Sequence, residues 1–199
     1  MSRDARSSQG LIGPNAVLQL LPVLDRFCDP ERRAQILAAA GIFEIPDGQS
    51  MIPETVAARL HRQLRLEEPG MAPVLAAHAG YETANYILEN RIPSLAQTLL
   101  RVLPKGPAGR MLAHAIEKNS WTFAGSGAFK AETPWSFVIR DNPLVRNEVS
   151  TLPLCAWHAA VFERLYRVLV SPHCRCEETC CAAQGSGKTC HFKISYGKA

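Results

Sequence analysis

The chain has 199 residues, 47% of them apolar, and a formal net charge of +4. That length supports one domain with its own core, or one domain plus a helical extension. The mild charge, with no dense run of Lys and Arg, argues against a nucleic-acid partner, and no stretch approaches the ~20 apolar residues of a membrane span.

Taken in chain order, the first part reads as helical. Pro14 fits a first helical turn, and Val17, Leu20, Leu21 and Leu24 recur at helix spacing, which predicts a helix through Phe27. Pro30 opens a second short helix with Ile36 and Leu37 facing inward, and Gly41 stops it just past Ala40. Pro53 starts a third, striped by Val56, Leu60 and Leu64. In AAHAGYETANYILENRIP the small residues Ala76, Ala77, Ala79 and Gly80 predict a longer helix that a neighbouring helix or a flat ligand can approach closely, ended by Pro93. SLAQTLLRVLP and GRMLAHAIEKN add two more short helices.

After Asn119 the period changes to two. WTFAGSGAF predicts a strand, a turn and a return strand, because Gly125 and Gly127 supply the positive φ of a tight reversal. WSFVIRD is a third strand that stops at Asn142-Pro143, LCAWHAAVFERLYRVLV an amphipathic helix, and CRCEETC and CHFKISY two final strands. This order predicts an α+β fold, with helices packed against a small antiparallel β-sheet. The expected division is a helical region over 1–107 and a core over 108–199 that ends in a cysteine-rich hairpin, together forming one compact unit.

Five of the seven cysteines fall between Cys174 and Cys190. The N-terminal MSRDARSSQGLIGPNAVLQL lacks the apolar stretch and cleavage site of a secretory signal, and an odd cysteine count in an intracellular chain favours zinc over disulfides. Along an extended strand Cys174, Cys176, Glu178 and Cys180 share one face, and Gly185 and Gly187 bend the loop that brings Cys190 back toward Cys181. The expected tetrahedral zinc site is Cys155, Cys176, Cys181 and Cys190, with Cys174, Cys180, Glu178, His173 and His191 as substitutes. Four protein ligands leave no open position for water, so the expected role of the zinc is structural. The GSGKT stretch from Gly185 to Thr189 is not a phosphate loop. A P-loop needs a glycine where Ala182 stands and a helix after it, whereas CHFKISY reads as a strand.

The segments GLIGPNAVLQLLPVLD, YETANYILENRIP, WTFAGSGAF and ETCCAAQGSGKTCHF together resemble the BchJ-type bacteriochlorophyll biosynthesis proteins of the 4-vinyl reductase class, over almost the whole chain. From about Ala108 onward the chain is similar to the 4-vinyl reductase domain, shared with the sensor modules of aromatic-responsive activators and related in fold to TRAPP subunits. The resemblance implies an α+β fold with helices against a small antiparallel sheet, and a homodimer. Glu178, Thr179, Cys181, Gly185, Cys190 and Phe192 match the family's ending, which carries its zinc-site role to Cys181 and Cys190. Two departures, a loop one residue longer after Gly185 and Cys176 as a candidate for the place of a carboxylate ligand, leave the other two ligands open.

The family name points to reduction of a vinyl group on a chlorophyll precursor, yet the sequence has no GxGxxG after a strand and no ferredoxin cysteine spacing. A carrier or accessory for a tetrapyrrole, such as a magnesium porphyrin or chlorophyllide, fits better than a self-sufficient reductase. The alternatives are a reductase that borrows an external reductant and a non-catalytic module that holds pathway enzymes. An axial imidazole, aromatic edges and guanidinium partners for propionates are the parts such a site needs. The candidates are His78 with Tyr81 on the Ala-rich helix, Arg91, Trp121, Phe123, Trp135 and Phe137. His114, His158, Arg140, Trp157 and Phe162 are further options, each equally explicable as ordinary core or surface. The expected location is cytoplasmic, with peripheral contact at the inner membrane and bacteriochlorophyll pathway enzymes as partners.

Overall fold

The computed structural model describes residues 10–185 and 187–197. Residues 1–9, part of the N-terminus read above for a signal, and Ser186 of the GSGKT stretch lie outside the described residues. Leu11–Ile12 (β1) pairs antiparallel with Ile52–Pro53 (β2), a ladder too short for period-two patterning to reveal. Between them run Asn15–Leu18 (α1), Leu21–Phe27 (α2) and Pro30–Ala39 (α3). The Asp29 side chain caps α3 by accepting the Arg32 backbone N–H at 2.8 Å, and Gly41, with φ of 68°, lets the chain leave just past its end.

Glu54–Glu67 (α4), Ala72–Asn90 (α5), Ser94–Val102 (α6) and Lys105–Lys118 (α7) follow, each set off by a proline at or near its start. The expected hairpin over 121–129 is not there. Trp121–Ala124 is instead a single helical turn (α8), anchored by Gly13 N–H donating to the Thr122 carbonyl at 2.7 Å, and Gly125, at φ of 56°, ends that turn. Four residues of alternating aromatic and small character suit either period, and the long-range contact decides. Trp121 and Phe123 are therefore not strand residues, and only Ala128–Thr133 (β3) of that segment joins the sheet. The buried Glu54 carboxylate holds the glycine-rich link, accepting from Ser126 N and Oγ at 2.7 Å each and pairing with Arg146 at 3.1 Å.

Ser136–Arg140 (β4), Ala156–Leu169 (α9), Cys174–Cys180 (β5) and Thr189–Tyr196 (β6) complete the chain, with a 3-10 turn over Ala182–Gln184. The sheet is antiparallel throughout, in the order β3-β4-β6-β5, so the architecture is α+β as the pattern predicts. One face of the sheet lies under α9, whose Phe162 meets Phe137 at 5.1 Å and Phe192 at 5.4 Å between ring centres. The other side of α9 packs along α5. A Cβ on Gly80 would run into the Trp157 carbonyl, so the small-residue stretch serves helix approach, one of the two uses expected of it.

Candidate functional site

The N-terminal end of α9 and the β5–β6 hairpin meet at four side chains. Cys155, at the N-cap of α9, Glu178 on β5, Cys181 just after β5 and Cys190 on β6 place their ligand atoms within 4.8 Å of one another. Cys155 Sγ lies 3.4 Å from Cys190 Sγ and 4.0 Å from Cys181 Sγ. Zn–S bonds of about 2.3 Å at tetrahedral angles place sulfurs roughly 3.8 Å apart, between those two distances. The three cysteines are buried, and Glu178 Oε2 accepts the Cys155 backbone N–H at 2.7 Å while its buried Oε1 has no hydrogen-bond partner. A buried carboxylate oxygen without a donor, facing three sulfurs, is a position prepared for a cation.

Three of the four expected ligands are thus gathered, and the fourth place goes to Glu178 instead of Cys176. The reason is register. β5 runs antiparallel to α9, so Cys176 meets the helix at Glu163, whose Oε2 accepts the Cys176 backbone N–H at 2.9 Å. Two residues of strand cover about 6.6 Å, and that distance carries the chain from Glu163 to the helix start, where residue 178 arrives. Glu178 stood among the substitutes, and the Glu-Thr-x-Cys ending was the signal for it. Asn142 carried no such signal. Its Nδ2 donates to Cys155 Sγ at 3.3 Å and approaches Cys190 Sγ at 3.9 Å, and Ala182 N–H donates to Cys190 Sγ at 3.4 Å.

The titration of the cluster follows from crowding. Burial holds the Cys155 thiol well above its ordinary value and pushes the Glu178 carboxyl up to about 8. Hydrogen bonds from Cys155 and Cys190 pull Cys181 down, so it is the thiolate of the set. Cys190 is drawn down by the Cys155 thiol, but its hydrogen bond to Cys181 and its burial outweigh that pull and raise it. A divalent cation reverses this arrangement, because four negative donors then share one positive centre. The donor N–H groups on the sulfurs spread the remaining negative charge. Three sulfurs and one carboxylate oxygen fit zinc, and they occupy every tetrahedral position.

The residues expected around a pigment are dispersed. His78 is exposed on α5 with its ring 5.2 Å from Phe27, beside an open groove of about 320 Å³ lined by Phe27, Cys28, Arg32, Met71 and Leu75 among others. Tyr81 instead donates to Glu163 at 2.9 Å, and Arg91 sits exposed over the Tyr86 ring at 5.8 Å. Trp121 is exposed, Trp135 packs on Tyr166 and Tyr196, and Phe123 and Phe137 belong to the aromatic core around Phe129 and Phe162. His158 lies in that core too, where burial holds its imidazole down at about 4. The structure therefore brings Phe123 and Phe137 into one cluster and leaves His78, Tyr81, Arg91, Trp121 and Trp135 apart from it.

Residues 135–196 match the family model of the 4-vinyl reductase domain, a span that includes every member of the four-residue cluster. Over 185 residues, 92% of the chain, the sequence is 51% identical to the bacteriochlorophyll synthase 23 kDa chain of Cereibacter sphaeroides, covering 89% of that protein. The protein of the same name from Rhodobacter capsulatus is 44% identical over 185 residues, 92% of this chain and 86% of its own length. Among solved structures, an Fe(II) unliganded H-NOX protein from K. algicida superposes with a TM-score of 0.57 at 11% identity, over 94% of this chain and 97% of its own. An oxygen-binding H-NOX domain related to soluble guanylate cyclases gives a TM-score of 0.52 at 9% identity, over 94% and 96%. At such identities the likeness speaks for the α+β fold alone.

Proposed function

The chain belongs to the family of the bacteriochlorophyll synthase 23 kDa chains, and from that premise we propose that it is an accessory protein of bacteriochlorophyll synthesis that binds a tetrapyrrole intermediate at the 4-vinyl (8-vinyl) reduction stage. The observation that carries this reading is the 51% identity over 92% of the chain to a protein with that name. Its partners are the pathway enzymes, and it works as a homodimer in the cytoplasm, against the inner membrane. The pigment lies along α5, where His78 offers an exposed imidazole to magnesium and Phe27 and Met71 offer apolar edges. The cysteine cluster holds a structural zinc that ties the helix start to the hairpin, and its ligands do not touch the pigment.

Titration of zinc-loaded protein with magnesium protoporphyrin or divinyl chlorophyllide is the test. A shifted Soret band at micromolar protein, weakened at least tenfold by His78→Ala, is the expected result. An unchanged spectrum sinks the carrier reading. Conversion of divinyl to monovinyl pigment by the purified protein with NADPH or reduced ferredoxin moves it to a reductase. For the metal, elemental analysis should give one zinc per chain, and less than half an equivalent with freely titratable thiols removes the zinc.

A further inference from the structure

Between Arg91 and Ile116 the chain contains no Asp or Glu and four cations, Arg91, Arg101, Lys105 and Arg110. Leaving these four aside, the remaining basic residues equal the acidic ones in number, so the chain's net charge of +4 resides in this segment. All four are exposed, and among the described residues none forms an ion pair. The same segment turns an apolar stripe to solvent. On α6, Leu95, Leu99 and Val102 fall at i, i+4 and i+7 with 83%, 47% and 74% of their surface exposed, while Leu100 faces inward. α7, packed against α6, adds exposed Met111. The helix is firmly held: Gln97 Nε2 donates to the carbonyls of Leu88 and Ile92 at 2.6 and 2.9 Å.

We infer that α6 and the start of α7 form a docking face for an anionic lipid surface, with Leu95, Leu99 and Val102 entering the headgroup boundary and the four cations meeting lipid phosphates. Apolar side chains rimmed by unpaired cations are what such a surface selects. A second copy fits poorly, because a two-fold interface sets the same patch against itself and would oppose cations with cations. A stable protein partner fits poorly as well. Four side chains expose a few hundred Å², against the ~800 Å² per partner of a standard protein interface. A groove of about 350 Å³ beside the stripe, lined by Arg101, Arg164, Ser94 and Gln97 with Glu89 as its one acid, suits a phosphate headgroup.

This deepens the peripheral attachment proposed above and is independent of the pigment, so its test uses zinc-loaded, pigment-free full chain. The protein is sedimented with vesicles of phosphatidylcholine alone and of phosphatidylcholine with phosphatidylglycerol. Binding to the anionic vesicles only, released by about 0.5 M salt, is expected. Leu95→Glu and Val102→Glu, both at strongly exposed positions, should each lower the partition coefficient roughly tenfold, and Lys105→Glu with Arg110→Glu at least as much, with circular dichroism unchanged. Lys193→Glu, on the sheet, should leave binding within about twofold, since a distant charge is screened. Failure to sediment with anionic vesicles, or binding indifferent to the Leu95 and Val102 changes, overturns the proposal. So does a dimer in light scattering that Leu95→Glu dissociates in the absence of vesicle binding, which would give the face to a second copy. Soret titration without vesicles reports the pigment separately.

Discussion

Two carboxylates face the seam between α9 and β5, and they behave oppositely. Glu163 is saturated: Tyr81, Arg175 and the Cys176 backbone N–H donate to its two oxygens at 2.9, 3.2 and 2.9 Å, and Arg167 pairs with it at 3.5 Å. Glu178 accepts one backbone N–H, leaves its other oxygen unpartnered, and faces sulfur. The first arrangement is complete as protein. The second is complete only with a cation, and the difference rests on how many donors reach each oxygen.

The largest effect should come from breaking the metal side. Chelation or Cys181→Ser is expected to lower the melting temperature by about 10 °C or more, because a structural ion's binding energy is folding energy. Differential scanning calorimetry of matched zinc-loaded and stripped samples checks this, and coincident transitions would deny the metal its structural role. Next comes the direct contrast. Glu178→Gln should weaken zinc affinity by roughly 10- to 100-fold, while Glu163→Gln keeps one zinc per chain and costs about 2 kcal/mol through the broken ion pairs. Competition with a chromogenic chelator and urea unfolding separate the two.

A smaller effect lies across the seam, where His61 touches Trp157 edge-on at 6.0 Å between ring centres. Burial holds its imidazole down at about 3, against an ordinary 6.5. The unfolded chain therefore takes up a proton below pH 6.5 that the folded chain refuses, so stability is lost as pH falls toward 3. His61→Gln should flatten the fall between about pH 6 and 4 by about 1 kcal/mol per pH unit, read from urea midpoints across that window. The smallest effect is expected at Cys176. Its thiol is raised by burial and by Glu163, and Cys176→Ala should keep the full zinc stoichiometry at a cost of about 1 kcal/mol. Loss of zinc in that variant would return Cys176 to the ligand set.

Much of the fold was legible because its signals are local. Asp29-Pro30 opens α3 and Gly41 closes it, the small residues around Gly80 announce a close helix contact, and alternation outlines β4, β5 and β6. Trp121–Ala124 escaped because four residues satisfy either period and a hydrogen bond from Gly13 settles the matter. The expected pigment contacts were chosen by residue type, and type does not say whether Phe137 enters the core or His78 stays outside it.

The sequence by itself determined that sulfur would gather at the C-terminal hairpin and that Cys155, Cys181 and Cys190 would share in it. Clustering along the chain, a bend at the loop and a helix start are all written locally. Only the tertiary structure decided between Cys176 and Glu178, since both lie on one face of β5 and the choice depends on how far the strand slides along α9. It also decided which helix face stays bare. The charge of the 91–116 segment can be counted from the sequence, whereas the exposure of Leu95 and Val102 depends on Leu100 and Gln97 having claimed the other side of α6.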